Sequence, residues 1–218
     1  MSIKIRFATD FVCPYCIAAK VPLMQALEGR EDVEIELLPV ELTRPPKERV
    51  DTYHDETRRA KWAKDLIPFC ENLGMDVHFP PKVIPRPYTS LAWEGYHYAK
   101  ERGKGEEYSS LMYTAYFTEE LDIGELDVLT ALAQRIGLDG ADFRAALENG
   151  TYRQIQEEAL KIAKSLEVKS VPTIWVGNLR LTGDLFTKED FEFYLNLAEG
   201  GENGTFGGGG FACGPDGC

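Results

Sequence analysis

No stretch of this 218-residue sequence approaches the roughly eighteen consecutive apolar residues of a membrane span. Its opening, Met1-Ser2-Ile3-Lys4-Ile5-Arg6-Phe7-Ala8, lacks the apolar core and small-residue cleavage site of a secretory signal. It alternates instead like a half-buried strand. Positive charge is scarce: 24 Lys and Arg stand against 36 Asp and Glu, a net charge of −12. So acidic a chain repels phosphate backbones, which argues against nucleic acid as a partner. Histidine is limited to His54, His78 and His97, which share no ligand spacing, so no bound metal is expected. Glycine is thin in the body, because nine of the twenty glycines lie between Gly200 and Gly217. The remainder, 44% hydrophobic and 28% charged, is an ordinary globular composition, long enough to bury a core without disulfides. The expected compartment is the cytoplasm, where thiols stay reduced and paired cysteines do redox chemistry or bind metal.

Five cysteines are present, and four of them fall in spaced pairs. Cys13-Pro14-Tyr15-Cys16 follows the first strand and opens a helix expected over 13–27, with Pro14 suited to its first turn and Pro22 expected to kink it. The i, i+3 spacing puts both sulfurs on one face of a first helical turn. At a helix N-terminus the macrodipole favours a thiolate on Cys13, the nucleophilic form. Half a zinc site or two small core residues would fit the same spacing, although no second ligand pair lies nearby in sequence. Asp10 reads either as a carboxylate acting on the sulfurs or as a solvated turn residue. Cys70, within Leu66-Ile67-Pro68-Phe69-Cys70, reads as a core thiol.

Val33 to Leu37 alternates as a second strand. From about Asp51 to Gly150 only helices are expected: 54–73 bent at Pro68, 89–102, 105–118, 125–136 and 140–149. Tyr88, Trp93, Tyr96 and Tyr98 within this block suit either helix packing or a substrate groove. A further helix over 151–167 places Ile155, Ala159, Ile162 and Leu166 on one apolar face. Pro172 to Val176 and Leu179 to Leu181 flank a Gly177-Asn178 turn, and Thr187 caps a helix running to about Leu197.

Asp10-Phe11-Val12-Cys13-Pro14-Tyr15-Cys16 after a first strand, with Val171-Pro172-Thr173 entering a late one, resembles the thioredoxin superfamily. The helical block between the strand groups resembles its DsbA branch. More narrowly the chain is similar to the FrnE-like group, related to 2-hydroxychromene-2-carboxylate isomerases and kappa-class glutathione transferases. The resemblance implies an α/β thioredoxin fold, a mixed central sheet flanked by helices, with a large all-helical insertion. On that basis residues 1–43 and 151–199 form the thioredoxin-like domain, 44–150 the insertion and 200–218 a tail. It implies Cys13 as nucleophile and Cys16 as resolving thiol, with Pro14, Tyr15, Val171, a cis Pro172 and Thr173 positioning substrate. Both sulfurs are retained where the isomerase and kappa relatives typically have Ser at the first position. That favours a thiol–disulfide oxidoreductase, with a kappa-type glutathione-dependent isomerase or transferase and a thiol-rich metal-binding protein as alternatives. Expected partners are disulfide-containing proteins or small thiols, glutathione among them, with no bound cofactor and either a monomer or a dimer.

The chain ends in Cys213-Gly214-Pro215-Asp216-Gly217-Cys218, where Gly-Pro-Asp-Gly is a turn that brings the flanking sulfurs toward each other. Gly200 to Ala212 has the composition of a flexible tether, spanning on the order of 20–25 Å. A second redox pair, mobile metal-binding thiols, or a tail without function all fit this segment. FrnE-like relatives carry such a C-terminal pair, and the resemblance implies exchange of Cys213 and Cys218 with Cys13 and Cys16.

Overall fold

A computed structural model of the protein describes residues 2–182, 185–201 and 203–207. The chain forms two compact units: the described residues of Met1–Val40 with Ile162–Cys218, and Glu41–Lys161. The second divide falls inside a continuous helix, eleven residues beyond the sequence-based boundary at 150/151.

The first unit is built on a five-stranded sheet of order β2-β1-β3-β4-β5. Strand β1 (Ile3–Thr9) leads into helix α1 (Pro14–Ala26), and β2 (Val33–Pro39) returns parallel to β1. After the helical unit, β3 (Thr173–Val176) runs antiparallel to β1 and pairs Ala8 with Thr173. Strand β4 (Leu179–Thr182) completes the hairpin, with Gly177 at φ 59° in the turn, where a side chain would be strained. Alternation buries Ile5, Phe7, Ile174, Val176, Leu179 and Leu181. Helix α9 (Lys188–Glu199) packs against α1 and adds Phe191 and Leu195 to this core. Its start is a reciprocal capping box between Thr187 and Asp190. Helix α1 continues through Pro22 to Ala26.

Gly204–Gly207, inside the segment expected to be a tether, forms strand β5, parallel to β4. Glycine composition hid it, because this pairing satisfies backbone groups at the edge of β4 and needs little from side chains.

The second unit is helical: α2 (Glu56–Lys64), α3 (Leu66–Asn72), α4 (Ser90–Glu101), α5 (Gly105–Phe117), α6 (Leu126–Arg135) and α7 (Gly140–Glu148). Helix α8 (Arg153–Ser165) carries the chain from this unit back to the first. The expected bend at Pro68 is instead a break at Asp65, whose φ of −122° leaves the helical region. Pro68 then lies in the first turn of α3, where a missing N–H forfeits no helical bond. Trp93, Tyr96 and Tyr98 are buried among helices, with Tyr98 edge-on to Phe143, so they pack the core. Gly95 sits so close to the Tyr108 and Phe143 rings that any Cβ there would collide with them.

Helix α8 is rotated away from the expected orientation. Ile155 and Ile162 are 42% and 49% exposed, while Tyr152, Gln156 and Ala163 are buried. Polar bonding is the reason: Gln156 donates to Glu41 at 2.8 Å and bonds His97 at 2.9 Å, which holds that side of the helix inward.

Candidate active site

Strand β1 ends at Thr9, and the next residue, Asp10, is fully buried. The alternative of a solvated turn carboxylate is thereby corrected. Phe11 and Val12 turn the chain, and the Cys13 N–H donates to the Asp10 carbonyl at 3.0 Å. Cys13 is the N-cap of α1, in extended backbone with φ −92° and ψ 116°. Its carbonyl starts the helix by accepting from Cys16 N at 3.1 Å and Ile17 N at 3.4 Å. Pro14 occupies the first turn at no hydrogen-bonding cost. Cys16 therefore lies one turn inside the helix that Cys13 opens, and both are reduced thiols.

The sheet brings the late segment to this point. Because β3 pairs with β1 at Ala8 and Thr173, the residues just before Thr173 stand beside the end of β1. The Cys13 thiol donates to the Val171 carbonyl at 3.8 Å, across 158 positions of sequence. The Val171–Pro172 bond is cis. Thr173 fixes the approach by donating its hydroxyl to the Ser170 carbonyl at 2.7 Å. Cys13, Pro14, Tyr15, Cys16, Val171, Pro172 and Thr173 are thus gathered at one end of the sheet, and all are buried. Tyr15 is 1% exposed, so its ring is packed inside and presents no face to a substrate in this conformation.

Protonation departs from the simple helix-terminus expectation. Burial pushes the Cys13 thiol well above its ordinary range, and hydrogen bonding and charge at Cys16 add to the rise. A backbone hydrogen bond opposes this, and the Asp10 charge adds a smaller upward push. Desolvation of a thiolate here works against the favourable helix N-terminus.

The remaining candidates fall elsewhere. Cys70 on α3 is 1% exposed, and burial alone pushes it up to about 12. His54 bonds Asp51, His78 stands 3.5 Å from Glu120, and His97 bonds Gln156. Cys213 and Cys218 lie outside the described residues. Burial of Asp10 was not legible locally, because its immediate neighbourhood reads as a turn.

Comparison with known proteins bears on the family and the fold. A sequence model of the DSBA-like thioredoxin domain matches residues 4–195. The Bacillus subtilis (strain 168) protein YwbO is 40% identical over 193 residues, covering 86% of this chain and 96% of YwbO. In fold, the chain is similar to the probable DsbA oxidoreductase SCO1869 from Streptomyces coelicolor, with a TM-score of 0.78 and 24% identity, over 99% of this chain and 98% of that one. The cytosolic disulfide reductase DsbM from Pseudomonas aeruginosa, solved with GSH, gives a TM-score of 0.68 at 15% identity, over 90% of this chain and 98% of that one.

Proposed function

The chain belongs to the DSBA-like thioredoxin domain family, and from that premise we propose that it is a thiol–disulfide oxidoreductase working through Cys13 and Cys16. The observation that carries the reading is the pair of thiols at the start of α1, with Cys13 held against the Val171 carbonyl beside Pro172. In the reducing direction the Cys13 thiolate attacks a substrate disulfide, forming a mixed disulfide and releasing one substrate thiolate, which takes up a proton. Cys16 then attacks the Cys13 sulfur, releases the second substrate thiol and closes the Cys13–Cys16 disulfide. The substrate gains two electrons that the protein dithiol loses, and the oxidase direction is the reverse. Once Cys13 leaves the Val171 carbonyl, that carbonyl can accept from an extended substrate backbone.

Within the family the protein fits the FrnE-like group and a cytoplasmic setting. Among the described residues no helix is long and apolar enough to cross a membrane. Disulfide-containing proteins and small thiols are its partners, and a glutathione-class thiol is a suitable reductant, as the GSH in the DsbM structure suggests.

Cys213 and Cys218 act as a second redox pair in the same chain. The sheet supports this through its directions: β5 follows β4, β4 opposes β3 and β3 opposes β1, so β5 and β1 point the same way. Gly207, Thr182, Thr173 and Ala8 stand in register across the sheet. The chain therefore leaves β5 at the end where β1 leads to Cys13. Three strand spacings separate the two exits, roughly 14 Å. Six residues from Gly207 to Cys213 can span about 20 Å when extended. A tether of that length gives an effective concentration near millimolar.

Insulin-disulfide reduction and dithiol oxidation by the wild type, Cys13→Ser, Cys16→Ser and Cys213→Ser/Cys218→Ser proteins test both parts. Loss of turnover in Cys13→Ser and a trapped mixed disulfide in Cys16→Ser are expected. Turnover surviving Cys13→Ser overturns the oxidoreductase reading and favours glutathione-dependent isomerase or transferase chemistry. Unchanged rates without the tail cysteines remove the second pair.

A further inference from the structure

The start of β1 carries two cations that share one carboxylate. Alternation along the strand turns Lys4 and Arg6 to the sheet face opposite the buried Ile5 and Phe7. The Lys4 Nζ lies 2.9 Å and the Arg6 Nε 3.1 Å from the same oxygen, Glu36 Oε2. Glu34, opposite Lys4 in the register, is exposed and makes no ion pair among the described residues. Neither Arg6 Nη group has an acceptor among the described residues. Positive charge and spare donors are thus in excess at this place. The end of α9 shows the reverse. Arg30 lies 2.7 Å from Asp32 and 2.5 Å from Glu199, so one guanidinium serves two carboxylates. Glu199 is also the last residue of α9, where the helix dipole is negative.

Both regions line one cavity of about 610 Å³, which lies in the sheet unit at the end of β1 away from Cys13. Lys4, Arg6 and Glu199 contribute to its wall, together with Gly177 and Asn178 from the turn between β3 and β4. Glu199 makes no ion pair with Lys4 or Arg6, so the opposite charges stay apart across the space. The Asn178 side chain is exposed and has no partner among the described residues, which leaves its amide donors and its acceptor free. The volume falls within the range of small-molecule sites, about 300–1,000 Å³. A plain anion would satisfy the Lys4 and Arg6 side and meet the Glu199 charge, and a plain cation would do the opposite. A ligand carrying both charges satisfies both walls.

We propose that this cavity binds a short zwitterionic peptide, with its carboxylate on Lys4 and Arg6 and its ammonium on Glu199. The free Arg6 Nη pair presents the planar fork that matches a carboxylate, and Asn178 suits a peptide amide between the two charged ends. None of the described residues that line the cavity is a cysteine, and the site does not rest on the dithiol chemistry.

NMR titration of the reduced full chain with trialanine, N-acetyltrialanine and trialanine amide, at constant ionic strength, tests the proposal. Trialanine should shift the backbone amides of Gly177, Asn178 and Gly201 saturably and leave those of Cys13 and Cys16 in place. Acetylation and amidation each remove one charge, and each should weaken binding roughly ten-fold. Arg6→Gln should lower the affinity for trialanine and N-acetyltrialanine but not for the amide. Glu199→Gln should lower it for trialanine and the amide but not for the acetylated peptide. Lys4→Gln repeats the first arm if Arg6→Gln disturbs the strand, and Lys164→Gln, exposed on α8 and outside the cavity, should change nothing. No saturable shift of the three cavity amides up to roughly 10 mM trialanine, or equal affinity for the three peptides, overturns the proposal.

Discussion

Cys13 and Cys70 are both sealed from solvent, one at the head of α1 and the other within α3, and burial raises both thiols. The difference lies in what faces each sulfur. Cys13 has a second thiol one turn away, a carbonyl acceptor at Val171 and a helix N-terminus beneath it. For Cys70, burial is the one cause of the rise. A buried cysteine is therefore not a redox site by virtue of burial or of a raised pKa. On the proposed reading, the site is made by a partner able to take over the sulfur, on a frame that brings residue 171 to residue 13.

Replacing each cysteine in turn breaks or upholds this contrast most sharply. Cys13→Ser should cost at least about a hundred-fold in insulin reduction, as removal of a nucleophile does, while Cys70→Ser keeps the parental rate. Equal losses would erase the distinction.

Packing should separate the two units next. Gly95→Ala drives a methyl into Tyr108 and Phe143 and should destabilise the fold by roughly 1–3 kcal/mol, read from urea midpoints. Turnover per folded molecule should stay near wild type, because Gly95 belongs to the helical unit and both thiols to the sheet unit. A variant that stays stable yet loses turnover would tie the helical core to the chemistry.

A smaller effect is expected at Asp10. Its negative charge raises the Cys13 thiol, so Asp10→Asn should make that thiol easier to ionise. More thiolate at fixed pH should speed iodoacetamide labelling of Cys13 a few-fold. Labelling of Cys70 should not change. Slower labelling of Cys13 would mean that Asp10 assists ionisation.

The least effect lies in alkaline stability. Cys70 is pushed up to about 12 in the folded chain, above its unfolded value. Its contribution is fully present below the unfolded pKa, about 8.5, and is lost as pH rises toward 12. Cys13 moves in the same direction and adds to the fall. Cys70→Val should flatten the decline in urea midpoint between neutral pH and about 10, leaving the Cys13 share.

Much of this was legible along the chain. The Thr187 cap, the Gly177-Asn178 hairpin and Pro14 at the head of α1 are local devices, each decided by a few neighbouring residues. The misreadings had non-local causes. Ile155 and Ile162 form an apolar stripe, but Gln156 is claimed by Glu41 and His97, 115 and 59 positions away. Strand β5 was hidden because its pairing uses backbone groups that every residue carries.

By itself the sequence determined where the first four strands and most of the helices lie, which two cysteines share a helical turn and that the two strand groups are separated by a helical block. Those properties depend on residues three or four positions apart, whose side chains and caps settle them without distant help. Tertiary structure alone decided that Val171 reaches Cys13 and that Tyr15 and Asp10 are enclosed. Burial and charge are sums over everything that surrounds a group, and most of what surrounds these groups lies far away along the chain.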